Sequence, residues 1–102
     1  MRQLNFPSYH FETETDEDSR QTIFDPIRKK YVRLTPEEWV RQHLVQYLIQ
    51  DRGFPAGYAV VEKGFQYAGT PVRADVIMHD RQGQPILMGE CKAPAIKIKE
   101  AV

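Results

Sequence analysis

Hydrophobic positions recur at helical spacing in one segment near the middle of the chain. Thr35 can cap a helix there, and Glu38 follows it by three residues, as a capping box requires. The pattern predicts an amphipathic helix over Pro36–Arg52, ended by Gly53. His43 lies within the apolar stripe, so we expect a hydrogen-bonded core histidine rather than a metal ligand. The stripe consists of Trp39, Val40, His43, Leu44, Tyr47 and Leu48.

Beyond this helix the pattern changes to short, compact apolar runs that favour strands. The predicted strands cover residues 58–67, 73–80 and 85–92. A turn containing Gly83 joins the last two, and Pro94 ends the third. Residues 96–102 either begin another helix or fray. A helix followed by strands predicts an α+β fold, with one long helix packed on an antiparallel-rich sheet of three or more strands.

The first part of the chain lacks a sustained period. We predict an acidic, flexible N-terminal arm over residues 1–20 and the folded domain over residues 21–102. Three aromatic residues of the arm are candidates for docking on the domain: Phe6, Tyr9 and Phe11.

Composition narrows the class of protein. The chain has 102 residues, which allows one domain, and its hydrophobic content of 41% is too high for a disordered protein. It has no apolar run of about 20 residues and no signal peptide, so no membrane partner and a cytoplasmic location are expected. The single cysteine, Cys91, excludes an internal disulfide framework and a cysteine-rich zinc site.

The charges are balanced in number but not in position. The chain holds 14 basic and 14 acidic residues. Residues 1–18 contain one basic and five acidic side chains, which leaves 13 basic against 9 acidic in the remainder. This distribution is compatible with a nucleic-acid partner, although many solvated surfaces share it. Four basic residues before the helix are either phosphate contacts or part of an exposed connector: Arg28, Lys29, Lys30 and Arg33.

The last predicted strand runs directly into charged residues, in the sequence ILMGECKAP. If residues 81–84 form a four-residue loop, Asp80 pairs with Pro85, and the numbers of paired residues sum to 165. Asp75 then lies opposite Glu90, on the same face of the hairpin. This placement depends on the register, because a slip of one residue would separate the two carboxylates.

Side-chain alternation adds a third charged group to this end of the hairpin. Lys92 shares the face of Glu90, and Cys91 points to the other face as a small buried residue against the helix. Two adjacent carboxylates suit Mg²⁺ or Mn²⁺, which could activate water beside a phosphodiester, while Lys92 orients the water or stabilises developing charge. The alternative is a surface salt bridge between Lys92 and either Glu90 or Asp75, worth about 0–1 kcal/mol.

The run RLTPEEWVRQHLVQYLI, followed by RADVIMHDRQGQPILMGECKAP, resembles the N-terminal nuclease domain of type I restriction enzyme R (motor) subunits. That family belongs to the PD-(D/E)xK nuclease superfamily. The likeness covers roughly residues 28–98, and GECKAP is its most specific part. It implies a restriction-endonuclease-like core and a Mg²⁺-dependent DNA endonuclease that accepts Mn²⁺ as a substitute.

The resemblance also implies roles for individual residues. Asp75 and Glu90 would be catalytic metal ligands, and Lys92 would be the catalytic lysine. A helix glutamate often joins the metal in this family; here it would be Glu38, or less well Glu37. The competing interpretation is that Glu38 serves only to cap the helix.

The resemblance implies DNA as substrate, and the modification and specificity subunits of a restriction-modification complex as partners. ATP would be used only by a full-length R subunit, since this chain has no Walker-type phosphate loop. Ala74 stands where the superfamily signature has proline. The chain ends at Val102 before a further helix and strand of the family, which indicates a fragment incomplete at its C-terminus and prone to self-association. Two alternatives remain open: a non-catalytic DNA-binding or subunit-assembly module of the same ancestry, and a small α+β interaction domain.

Overall fold

The computed structural model describes the backbone of residues 4–67, 70–92 and 95–100, and the side chains of residues 4–61 and 74–91. In these ranges a small antiparallel sheet precedes the helix, in the order β1-β2-β3. A second antiparallel sheet follows the helix, in the order β4-β5-β6-β7. The strands of the small sheet are β1 (Thr13–Thr15), β2 (Gln21–Asp25) and β3 (Lys30–Arg33). The strands of the larger sheet are β4 (Ala59–Tyr67), β5 (Thr70–His79), β6 (Pro85–Lys92) and β7 (Ala95–Glu100).

The predicted helix is confirmed as α1 (Pro36–Gln46), which continues into a π-helical turn over Tyr47–Asp51. Thr35 caps it: its backbone is extended and its hydroxyl oxygen accepts the backbone N–H of Glu38 at 3.0 Å. Gly53 follows the helix with a φ of +75°, a conformation that glycine adopts without strain. The prediction that the helix ends at this glycine is therefore confirmed.

The predicted α+β class, with a helix packed on an antiparallel sheet, is confirmed, and β4, β5 and β6 match the three predicted strands. Residues 95–100 form a strand, so the expectation of a helix or a frayed end there was wrong for this segment. The strands β1–β3 were not predicted as a sheet. They have only three to five residues each, too few for an alternating pattern to stand out. β1 lies within the predicted N-terminal arm and pairs with β2 across residue 20.

The main core lies between α1 and one face of the larger sheet. Helix and strand approach closely at Gly89, where an added Cβ would lie 2.6 Å from Cδ2 of Leu44. Cys91 is 2% exposed and belongs to this core, as predicted. The other buried members are Val40, Leu44, Val45, Leu48, Ala59, Val61, Val76, Met78 and Leu87.

The N-terminal aromatic residues dock on α1 around His43. The rings of Phe6, Tyr9 and Phe11 lie 5.9, 6.1 and 4.8 Å from the ring of His43. Tyr9 also donates its hydroxyl to Asp51 at 2.6 Å. His43 is buried, and its Nδ1 donates to the carbonyl oxygen of Trp39 at 2.8 Å, so the prediction of a hydrogen-bonded core histidine is confirmed. Within the described ranges, no helix has the length and apolar character needed to cross a membrane.

Candidate active site

The hairpin formed by β5 and β6 has the predicted register over its central part. Its pairs are Val76–Gly89, Ile77–Met88 and Met78–Leu87, whose numbers sum to 165. Nearer the turn, His79 pairs with Pro85, so Ile86 is an extra residue that forms a β-bulge. The predicted pair of Asp80 with Pro85 was therefore wrong, although the register beyond the bulge is the predicted one.

The hydrogen bonds of Asp80 within the turn explain why it does not pair with Pro85. Oδ1 of Asp80 accepts the backbone N–H groups of Gln82 and Gln84, both at 2.9 Å. The side chain thereby organises the turn from within, as aspartate often does. Asp80 is thus part of the turn and not the first paired residue of the strand.

Asp75 lies one residue beyond the last of these pairs, and extending the pairing by one step brings it opposite Glu90. Its Oδ2 accepts the backbone N–H of Cys91 at 2.6 Å, so the side chain of β5 takes a hydrogen bond from the backbone of β6. Its Oδ1 accepts Nη2 of Arg41 at 3.1 Å. The side chain is 13% exposed. Asp75 is therefore fixed at both oxygens, near the surface but not in open solvent.

The other two predicted hairpin residues lie on β6. Glu90 is exposed, and its backbone pairs with Lys97 of β7. The backbone of Lys92 pairs with Ala95. The side chain of Lys92 lies outside the described residues, and the predicted role of its ammonium group stays a prediction.

Glu38 reaches the same region from the first turn of α1. Its side chain is 7% exposed, and its carboxylate accepts three hydrogen bonds. The donors are Arg28 at 2.8 Å, Arg41 at 2.6 Å and Gln42 at 3.0 Å. The expectation of a complete capping box was wrong, because this carboxylate faces these donors while Thr35 alone supplies the cap.

Arg41 joins the helix to the sheet. Its side chain is 4% exposed, and it donates to Glu38 at 2.6 Å, to Glu37 at 3.1 Å and to Asp75 at 3.1 Å. A guanidinium group suits this position because its several donors lie in one plane and can serve several carboxylates at once. Asp75 and Glu38, which come from different elements, are therefore brought together by one cation.

A second arginine extends this network to the small sheet. Nε of Arg28 lies 2.5 Å from Oδ2 of Asp25, which is fully buried at the end of β2. Oδ1 of Asp25 accepts the backbone N–H of Ile27 at 2.7 Å. Burial lowers the pKa of Arg28, but the hydrogen bonds to Asp25 and Glu38 outweigh it and raise the pKa overall. Arg28 was a candidate phosphate contact, and in the structure it is engaged with these two carboxylates.

We call this set the carboxylate–guanidinium network; it consists of Asp25, Arg28, Glu37, Glu38, Arg41, Gln42 and Asp75. Sequence reasoning missed Asp25, Arg41 and Gln42. One signal was available: Arg41 follows Glu38 by three residues and Glu37 by four, which is the spacing of helical ion pairs. No comparable signal links Arg41 to Asp75, because that contact joins residues far apart in the chain.

The oxygen donors of this network, though not their spacing, match the preference of a hard divalent cation. It contains four carboxylates against two guanidinium groups, a formal excess of negative charge beside Asp75. Carboxylate oxygens are the donors that Mg²⁺ and Mn²⁺ prefer. Among residues with described side chains, no three Asp, Glu, His or Cys groups are gathered closely enough to hold a metal ion.

Cys91 lies between the core and the network. Burial raises the pKa of its thiol to about 12, and the negative charge of Asp75 adds to the effect. The thiol is therefore protonated at neutral pH and is a poor nucleophile. Its part in the site is played by its backbone N–H, which holds Asp75.

Comparison with known proteins gives a match to a family model. A family model described as the type I restriction enzyme R protein N terminus (HSDR_N) matches residues 36–102. No curated protein and no solved structure matches the chain.

Proposed function

The chain belongs to the family of type I restriction enzyme R protein N termini, and from this premise we propose that it is a Mg²⁺-dependent DNA endonuclease domain. Its reaction would be hydrolysis of phosphodiester bonds in DNA. DNA, and the modification and specificity subunits of a restriction-modification complex, are the partners that follow from this proposal.

The observation that carries the proposal is the position of Asp75 in the hairpin. The described pairs end at Val76–Gly89, Asp75 and Glu90 are the next residues along β5 and β6, and Asp75 accepts the backbone N–H of Cys91 there. Like charges placed opposite each other on a sheet are destabilising unless a cation compensates them. Two carboxylates at this end of the hairpin therefore support a cation site, and the one cation described at Asp75 is the guanidinium of Arg41.

Each residue then has a defined task. Asp75 and Glu90 would hold the metal ion, and Glu38 would complete the negative charge of the site from the helix side. The bound ion would supply Lewis acidity, which lowers the pKa of water and neutralises charge on the phosphate. Lys92 would orient the attacking water or stabilise the transition state. In this step the water oxygen bonds to phosphorus, the bond to the leaving sugar oxygen breaks, and that oxygen takes up a proton.

The first experiment is a calorimetric titration of Mn²⁺ into the chain and into its Glu90→Ala variant. We expect binding by the wild type and loss of binding in the variant, because one of two hairpin carboxylates is gone. Glu17→Ala is the matched control, since it removes an exposed carboxylate from the turn between β1 and β2. Equal binding by wild type and Glu90→Ala would contradict the proposed site.

The second experiment tests catalysis. Nicking of supercoiled plasmid DNA should require Mg²⁺ or Mn²⁺ and should fall by at least about 100-fold in Lys92→Ala, the order of effect of losing one catalytic group. Metal-dependent nicking that survives in Lys92→Ala would remove the lysine from the mechanism.

A second candidate function is a non-catalytic DNA-binding or subunit-assembly module of the same ancestry. It is favoured by one observation, the pairing of Asp75 and Glu38 with Arg41, which gives both carboxylates a cation without any metal. This alternative predicts that DNA binding is the same in EDTA and in Mg²⁺. The proposed nuclease predicts that binding and cleavage both change with the metal.

A further inference from the structure

Arg41 contacts carboxylates from both the helix and the larger sheet. Its guanidinium group spans the gap between α1 and β5, donating to Glu38 at 2.6 Å and to Asp75 at 3.1 Å. These two carboxylates come from the helix and the sheet, the two sides from which a metal in this site would take its ligands. The guanidinium group therefore puts one positive charge between the two carboxylates, as a bound cation would.

Both carboxylates have other partners that do not depend on Arg41. Glu38 also accepts from Arg28 at 2.8 Å and from Gln42 at 3.0 Å. Asp75 also accepts from the backbone N–H of Cys91 at 2.6 Å. If Arg41 released Asp75 alone, both carboxylates would keep a hydrogen-bond donor, and the buried guanidinium would keep Glu37 and Glu38 as partners.

The exposed fractions of the two side chains also favour an exchange of partners at Asp75. The side chain of Asp75 keeps 13% of its surface exposed, while that of Arg41 keeps 4%. An ion can thus reach the carboxylate from solvent, while the guanidinium holds it from the protein side. A divalent ion bound to Asp75 would stand close to a positive charge at low effective dielectric, where like charges repel strongly.

We propose that Arg41 is the resident cation of the candidate site: it holds Asp75 and Glu38 together without metal and releases Asp75 when a divalent ion binds. This inference rests on the proposed function, because it assigns the divalent ion to Asp75. It makes Arg41 a positioning residue whose charge sets the metal affinity. The guanidinium and the metal ion compete for the same carboxylate.

The test compares Mn²⁺ binding by calorimetry in the wild type, Arg41→Gln and Arg20→Gln. Arg41→Gln removes the competing charge and keeps a hydrogen-bond donor, so its Mn²⁺ affinity should rise by on the order of tenfold. Arg20→Gln is the matched control: it removes the same charge from an exposed arginine that pairs with Asp16 and Asp18, outside the carboxylate–guanidinium network. Its affinity should stay within about twofold of the wild type, since charges farther from the site are screened more.

Each result of these titrations supports or overturns the proposed role of Arg41. Tighter binding by Arg41→Gln alone supports it, and so does binding by Arg41→Gln when the wild type binds none. Equal affinities of wild type and Arg41→Gln overturn it and leave the proposed metal site in place. Tightening of similar size in both variants also overturns it, because that result reflects total charge. Binding by none of the three proteins overturns this inference and the proposed function together.

A measurement on the wild type covers the case in which Arg41→Gln fails to fold. The side-chain Nε–H resonance of Arg41 is followed by NMR during a titration with diamagnetic Mg²⁺. A shift that saturates with the ion, together with faster hydrogen exchange of this group, is expected if the guanidinium gives up Asp75. An unchanged resonance at a Mg²⁺ concentration that saturates the site overturns the inference.

Discussion

The two ends of α1 meet the larger sheet in different ways. Toward its C-terminal end, Leu44 and Leu48 are buried in the apolar core. Toward its N-terminal end, Glu38 and Arg41 are buried in the carboxylate–guanidinium network, with Asp75 from the sheet. Apolar contacts are non-directional and depend on volume and area, whereas buried charges depend on the identity of their partners. The apolar end should therefore tolerate a change of residue that conserves volume, and the charged end should not tolerate the loss of one charge.

The largest effect is expected at the charged end, from Asp25→Ala. The change should lower the free energy of unfolding by about 3–5 kcal/mol, because the guanidinium of Arg28 would lose a fully buried carboxylate partner. Urea denaturation measures the change, with Asp18→Ala as the control, since Asp18 is an exposed aspartate paired with Arg20. Equal costs for the two variants would show that burial adds nothing to the Asp25 pair.

At the apolar end of α1, Leu44 is fully buried. The stability lost when it is replaced should depend on how much side-chain volume is removed. Leu44→Ala should cost about 2–5 kcal/mol of unfolding free energy, because it leaves a cavity against the sheet. Leu44→Met should cost less than about 1.5 kcal/mol, because the volume is conserved. If both variants lose the same stability in urea denaturation, the contrast between the two ends of α1 is wrong.

A smaller effect is expected where helix and strand come closest. Gly89→Ala should cost about 1–3 kcal/mol, because the added Cβ would lie 2.6 Å from Cδ2 of Leu44. The same change should cost less in a Leu44→Ala background, which a double-mutant cycle by urea denaturation would measure. Gly57→Ala is the control, because a Cβ there meets nothing within 4 Å. Additive effects of the two changes would place the cost of Gly89→Ala elsewhere than at Leu44.

The smallest effect at neutral pH concerns Cys91, which lies in the apolar core and donates its backbone N–H to Asp75. Its pKa of about 12 in the folded protein lies above the ordinary thiol value of 9.0, so its contribution to stability is fully present below about pH 9 and is lost as the pH rises through 12. Between these values the wild type should lose up to about 1.4 kcal/mol per pH unit relative to Cys91→Ala. Tyr9, whose pKa is raised to about 12 by burial and by its hydrogen bond to Asp51, titrates in both proteins and cancels in the difference. Parallel pH profiles for the two proteins would contradict the raised pKa of the thiol.

Sequence reasoning succeeded where one local pattern determines the structure. The helix followed from apolar spacing and from the cap at Thr35, and the three central strands followed from compact apolar runs between turn residues. The central register of the hairpin was also predicted, because both of its strands lie close together in the chain. These features depend on interactions over a few residues, or on one short loop.

The charged site was harder to predict because its contacts join separate elements. Arg41 reaches Asp75 across 34 residues of sequence, and nothing in the helix indicates which strand will supply that partner. The carboxylate of Glu38 was expected either to cap the helix or to bind a metal, and nothing in the sequence indicated that it would face two guanidinium groups. Asp25 resembles an ordinary turn residue before proline, and only the fold shows that it is fully buried.

The bulge at Ile86 has a consequence for how this hairpin can change in length. Because Ile86 has no partner on β5, its deletion would leave Met78–Leu87 and the pairs beyond it as they are, and would make the ladder regular up to His79–Pro85. The number of residues between Asp75 and Glu90 is thus not what keeps the two carboxylates together. Variants shortened by one residue at the bulge should keep the same pairing, while a deletion between Leu87 and Glu90 would move every later side chain of β6 to the opposite face. The bulge can therefore absorb a change of one residue near the loop without changing the pairing of β5 and β6 beside Asp75.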